Sequence, residues 1–170
     1  VVAVPPGSEA QAEREGVQVV AGGASRSESV AAAFGELEAE VIVVHDAARP
    51  LVTAELVDAV IADLLEDENC GAVVAAAPVT DTIKQVARGV EVDRTLDRSS
   101  LWAAQTPQAF RADVLREALA STTLLAQATD DAMLVERIGG RVLLHRSPAE
   151  NIKVTTPLDL RIAELLLGER

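Results

Sequence analysis

A chain of 170 residues suits one domain, long enough to bury roughly 70% of its unfolded surface in a single core. With 49% hydrophobic but only 2% aromatic residues, that core is built from Ala, Val, Leu and Ile, in a globular rather than a disordered composition. Fifteen Lys+Arg against 27 Asp+Glu leave a net charge of -12, which repels nucleic-acid backbones and anionic membrane surfaces and argues against both as partners.

In chain order, the short runs "VVAV", "VQVV", "VIVV" and "GAVVAAA" are β-branched or small and free of charge, as expected for strands covered on both faces. After Gly22 and Gly23, Ser25 with Glu28 forms a capping-box signature and predicts a helix start. From Thr53, the residues Leu56, Val57, Val60, Ile61, Leu64 and Leu65 recur at helical spacing as one apolar stripe. Strands alternating with helices predict an α/β fold with a doubly wound, mostly parallel sheet.

Beyond Pro78 the pattern changes. "TIKQVARGVEVDRTL" alternates on both sides of Arg88 and Gly89 and reads as a β-hairpin projecting from the domain. "RADVLREALAS" and "DDAMLVERIGG" read as helices, the second stopped at Gly139 or Gly140. "RVLLHRS" and "NIKVT" read as strands, and Thr156, Pro157 and Asp159 open a C-terminal helix, "PLDLRIAELLLGER". No run is apolar for long enough to span a bilayer, no signal peptide is evident, and the single Cys70 excludes an intrachain disulfide, so the cytoplasm is the expected compartment.

Polar residues gather where the strands end, the place where open α/β sheets bind ligands. In "GGASRSES" the glycines permit close backbone approach and the following helix start offers free N–H groups; a plain Gly-containing turn with a good cap is the competing reading. Neither a dinucleotide fingerprint nor a P-loop is present. In "HDAARP", Asp46 can accept a ligand hydroxyl or bind Mg²⁺, and Arg49 can grip a phosphate or lock the carboxylate; an Asp–Arg pair that only stabilises the turn is equally open. His45 reads as structural. Lys153, one of only two lysines, precedes a helix start and suits a phosphate site, with a solvated cation as the alternative.

Taken together, "VVHDAARP", "APVTDTIK", "TLDRSSLWAAQTPQAF", "ATDDAMLVERIGG" and "NIKVTTPLDL", in this order and spacing, resemble the 2-C-methyl-D-erythritol 4-phosphate cytidylyltransferases of the non-mevalonate isoprenoid pathway. The resemblance covers essentially the whole chain. It implies a Rossmann-like nucleotidyltransferase fold, transfer of a cytidylyl group from CTP to methylerythritol phosphate with release of pyrophosphate, and dependence on Mg²⁺. It places Gly22, Gly23 and Ser29 at the cytosine pocket with Arg26 nearby, Asp46 against substrate with Arg49 in support, and Lys153 facing the reacting phosphates. Thr106 and Thr129 match further site-lining threonines, although either could equally be a turn or helix cap.

The resemblance also turns the hairpin, residues 82–98, into a dimerisation arm, with Thr82 and Arg98 of one chain completing the substrate-phosphate site of another. The family opens with a strand and a Gly-rich loop of the form AAGxGxRM, followed by PKQ, that wraps the triphosphate; this chain begins where the second strand is expected. On that reading the chain as it stands binds CTP poorly and exposes one sheet edge. A ribitol-phosphate cytidylyltransferase and an inactive, dimerising homologue are the alternatives.

Overall fold

A computed structural model describes residues 1–120 and 128–169. Ser121 and Arg170, the last residues of two expected helices, lie outside them.

The centre of the molecule is β4 (Cys70–Pro78), whose first seven residues are all buried. Its side chains alternate between two faces, as strand geometry requires. Val73 and Ala75 meet Leu56, Val60 and Leu64 of α3 (Ala54–Glu66). Ala72 and Val74 meet Phe110 together with Leu115 and Ala118 of α4 (Ala112–Leu119) and Leu134 and Val135 of α5 (Ala132–Arg137). Two cores, one on each face of a single strand, are what an uninterrupted apolar run encodes. On α3 the fully buried stripe is narrower than its spacing predicts, since Leu65 is 55% exposed.

Four strands form the main sheet in the order β3 (Val41–Val44), β7 (Trp102–Arg111), β4, β8 (Arg141–Arg146). Strands β4 and β8 are parallel. The strand not foreseen, β7, runs antiparallel to both of its neighbours. In a second, two-stranded sheet, β1 (Val2–Val4) and β2 (Val19–Ala21) are parallel, with the short α1 (Glu9–Ala12) between them. A groove of about 310 Å³ separates β1 from β3, with Val30, Ala33 and Phe34 of α2 (Arg26–Phe34) lining it. The α/β layering therefore stands as read, while the sheet is divided between these two strands.

Strand β7 has an irregularity that places the site. Val74 pairs with Gln108 but Ala76 pairs with Ala104, so residues 105–107 stand opposite Ala75 alone. Pro107 has no N–H to give the ladder, and bulges are where a strand accepts such a residue. The bulge turns Gln105 and Thr106 out of the ladder, Thr106 toward Asp46 just past the end of β3 and Gln105 toward Asn151.

Helix starts follow their local chemistry. Ser25 and Glu28 close a capping box on α2, Thr53 Oγ1 accepts from the Leu56 N–H on α3, and Thr156 with Asp159 caps α6 (Pro157–Gly168). Helix α5 ends as Gly139 turns left-handed at φ 81° and the Gly140 N–H donates to the Val135 carbonyl, a C-cap favoured by glycine. The expected strand at "NIKVT" is absent. Residues 151–155 form a loop, because the Val154 N–H is donated to the Ala48 carbonyl and the Asn151 carbonyl is taken by Arg49. Hairpin strands β5 (Lys84–Arg88) and β6 (Glu91–Thr95) pair with each other, and every one of their residues is exposed.

Candidate active site

The loop after β3 carries Asp46 and Arg49 into the open end of the sheet. Its turn is closed by the backbone, the Arg49 N–H donating to the Asp46 carbonyl at 2.9 Å. The side chains diverge: Arg49 is buried and its Nη1 donates to the Asn151 carbonyl at 2.7 Å, rather than to Asp46. That bond and the one from Val154 to Ala48 clamp the 151–155 loop on both sides of Lys153. Burial lowers the Arg49 pKa, with Asp46 opposing. Arg49 thus serves as the strut that brings the lysine to the carboxylate.

Asp46 is the hub. Its Oδ2 accepts from Lys153 Nζ at 2.9 Å and its Oδ1 from Arg26 Nε at 3.0 Å. Arg26, the first residue of α2, sends Nη1 in the other direction, to Asp131 Oδ2 at 2.5 Å. The four groups form a row of alternating charge: Lys153, Asp46, Arg26, Asp131. Burial works to raise the Asp46 pKa, but the bonds from Lys153 and Arg26 outweigh it and hold the carboxyl below its ordinary range. Burial lifts the fully buried Asp131 above the ordinary range, with Arg26 opposing.

Beneath Asp46, Thr106 uses both faces of its hydroxyl. Its Oγ1 accepts from the Asp46 N–H at 3.0 Å and lies 3.0 Å from His45 Nδ1. His45 Nε2 lies 3.0 Å from the Arg49 carbonyl, which can only accept, so the ring carries its proton on Nε2 and takes the threonine proton on Nδ1. His45 is therefore structural, and Thr106 holds the Asp46 backbone. Asn151, fully buried, donates to Gln105, to the Thr106 carbonyl and to Ser147.

These contacts leave a cavity of about 290 Å³ lined by Arg26, Asp46, Arg49, Thr106, Thr129 and Lys153. Six sequence-selected residues therefore converge. Lys153 is the accessible cation at its mouth, 44% exposed. Gly22, Gly23 and Ser29 stand to one side, in the loop from β2 to α2. Ser29 Oγ accepts from the Gly23 N–H at 3.1 Å, and a Cβ on Gly22 would lie 2.6 Å from that oxygen. A Cβ on Gly23 would lie 2.3 Å from the Glu28 Cβ, so both glycines are demanded by the close fold-back of the capped helix. Thr82 and Arg98 do not line the cavity. They flank the hairpin, where Arg98 Nη1 donates to the Thr80 carbonyl at 2.6 Å.

Three contributors were missed in the sequence. Asp131 and Asp130 sit in the quoted "ATDDA", where only the threonine stood out; Asp130 Oδ1 accepts from the Met133 N–H at the start of α5. Asn151 opened a segment read as a strand. No His, Cys, Asp and Glu cluster among the described residues could hold a metal by itself. No described helix is long and apolar enough to cross a membrane.

A lysine and two arginines stand around one carboxylate at the strand ends of an α/β sheet, and these are side chains that can grip phosphate oxygens at the place where such folds bind ligands. The sequence profile of one family, "IspD: 2-C-methyl-D-erythritol 4-phosphate cytidylyltransferase", matches residues 1–169. A 2-C-methyl-D-erythritol 4-phosphate cytidylyltransferase of Symbiobacterium thermophilum is 49% identical over 158 residues, covering 89% of this chain and 64% of that protein. A bifunctional IspD/IspF enzyme of Anaeromyxobacter dehalogenans is 44% identical over 98% of this chain and 45% of its own length. Among solved structures, the cytidylyltransferase of Thermus thermophilus superposes with a TM-score of 0.83 at 37% identity, covering 98% of this chain and 80% of the other. The chain belongs to the IspD family of cytidylyltransferases, and it spans less than two thirds of the length of these two curated relatives.

Proposed function

We propose that the protein to which this chain belongs transfers a cytidylyl group from CTP to 2-C-methyl-D-erythritol 4-phosphate. An oxygen of the 4-phosphate attacks the α-phosphorus of CTP, the α–β bridging bond breaks, and pyrophosphate leaves with 4-diphosphocytidyl-2-C-methyl-D-erythritol as the product. The observation that carries this reading is the row Lys153, Asp46, Arg26 at the mouth of the cavity, in a chain that matches the family along its length.

Phosphoryl-type transfer asks for in-line positioning and charge neutralisation rather than elaborate acid–base chemistry. Lys153, on a clamped loop, supplies positive charge where negative charge develops on the phosphates. Asp46 orients Lys153 and meets the substrate. Thr129 and Thr106 line the cavity as expected substrate contacts, and Gly22, Gly23, Ser29 and Arg26 form the nucleotide side. Both Asp46 oxygens are engaged by cations, and the described residues offer no metal cage. That fits a Mg²⁺ ion that arrives on the CTP triphosphate, neutralising its charge, as Mg²⁺ commonly binds through substrate phosphates with few protein ligands.

The exposed hairpin is proposed as a dimerisation arm, with Thr82 and Arg98 reaching the site of a second copy; its exposed valines, Val86, Val90 and Val92, support a covered position in an assembly. A reducing, cytoplasmic setting suits the buried free Cys70. Pyrophosphate release is the test: it is expected only with CTP, Mg²⁺ and methylerythritol phosphate together. Equal turnover of ribitol phosphate would overturn the choice of acceptor, and no turnover by the full-length protein would favour an inactive homologue.

A further inference from the structure

We infer that Asp131 is a positioning residue: held inside the protein, it aims Arg26 so that Arg26 and Lys153 grip opposite oxygens of Asp46. The inference rests on the proposed reading of Arg26, Asp46 and Lys153 as site residues.

Four observations converge on it. The Asp131 side chain is completely buried, and its Oδ1 has no hydrogen-bond partner among the described residues. A buried carboxylate with one oxygen unsatisfied costs stability that a neutral or apolar residue would not. Nothing in its own helix returns that cost, because Asp131 stands at the N-cap of α5 without making a side-chain cap bond, and the adjacent Asp130 serves Met133 instead. The remaining oxygen meets Arg26 Nη1, at the far end of the guanidinium from the Nε that holds Asp46.

A guanidinium is planar and rigid, so fixing one edge fixes the direction of the other. With Asp131 in place, Arg26 Nε is directed at Asp46 Oδ1 and leaves Oδ2 to Lys153. Removing the inner anchor frees Arg26 to turn toward solvent, where a third of its side chain already lies. Asp46 then keeps one guide instead of two. The residue two positions beyond a site-lining threonine thereby governs a lysine that it does not touch.

The alternative is that Asp131 contributes only its negative charge, and the two roles move Asp46 in opposite directions. The groups acting on Asp46 are Arg26, Lys153, Arg49 and, repulsively, Asp131, with Asp130 beside the latter. Loss of a like charge alone lowers the Asp46 pKa, whereas loss of the Arg26 hydrogen bond raises it.

The experiment is Asp131→Leu in this chain, which removes the accepting oxygen with the charge, followed by NMR of the Arg26 Nε–H group and the Asp46 carboxyl. At least tenfold faster water exchange of the Arg26 Nε–H, with the Asp46 titration moving upward, is expected. Unchanged exchange, or a downward move of Asp46, overturns the inference. Arg26→Lys supplies an independent arm should the first variant not fold: a single ammonium cannot span both carboxylates with fixed direction, so Asp46 again moves upward, and an unmoved Asp46 overturns the inference. In an Arg26→Lys background, Asp131→Leu should add less than a twofold further change in any of these readouts; a full additional effect also overturns it. None of these signals requires turnover, so a full-length protein with the protected Nε–H signal but no pyrophosphate release would refute the proposed activity and leave the positioning role standing.

Discussion

The cavity and the hairpin are built by opposite rules. Around the cavity, side chains from the loop after β3, α2, the β7 bulge, the α5 start and the 151–155 loop are tied to one another by hydrogen bonds that run from the buried Arg49–Asn151 contact to the exposed Lys153–Asp46 contact. In the hairpin, all ten strand residues are exposed, and its side-chain bonds, Lys84 to Thr95 and Arg94 to Gln85, stay within the pair. An isolated two-stranded hairpin is marginally stable by itself. The cavity is therefore a product of this chain's own core, while the hairpin strands bury no residue of their own.

The contrast can be broken from the cavity side with large effects. Lys153→Ala should reduce turnover by about 10²–10³-fold, or 2.7–4 kcal/mol, the scale of removing one preorganised electrostatic donor; steady-state pyrophosphate release measures it, and an unchanged kcat would remove Lys153 from the reaction. Thr106→Val keeps the shape but strands the Asp46 N–H and His45 Nδ1. About 1–3 kcal/mol of stability should disappear, read by urea unfolding, because buried groups left unpaired forfeit their solvation.

From the other side, replacing residues 84–95 by a short Gly-Ser link should alter the stability of an isolated chain by less than about 0.5 kcal/mol, as changes remote from a core usually do. The same change should abolish dimerisation in sedimentation; a persistent dimer would locate the interface elsewhere. The mildest effect concerns Asp159, whose carboxyl, bonded to the Thr155 and Thr156 backbone and hydroxyls, is pulled down to about 2. A depressed carboxyl contributes above its unfolded value of roughly 3.9 and loses that contribution as pH falls through the folded value. The Thr155 and Thr156 amide signals should thus hold their positions at pH 3 and move only near pH 2.

Helix starts were legible because they are local: Ser25 with Glu28 and Thr156 with Asp159 carry their whole explanation within four residues. Strand ends were legible because an apolar run stops abruptly at Asp46. Strand β7 was not, since Gln105, Thr106, Pro107 and Gln108 interrupt any alternation and become intelligible only when a neighbour reveals the bulge. "NIKVT" alternates like a strand, yet its backbone bonds go to a turn about a hundred residues earlier in the chain, which no local pattern can announce. The roles of Asp130 and Asp131 are equally invisible: two identical neighbours divide into a cap and a buried anchor only through where Arg26 falls.

The gap between β1 and β3 has a colloidal consequence. Apart from the hairpin, the described residues form two sheets with four outer strands, β1, β2, β3 and β8, where one continuous sheet would present two. Outer strands are templates for pairing with other chains. Mutual repulsion between copies that each carry a charge of -12 restrains such encounters. Salt shortens the reach of that repulsion from about 10 Å at 0.1 M to about 3 Å at 1 M. Concentrated solutions of this chain should therefore stay clear in dilute buffer and grow turbid in brine.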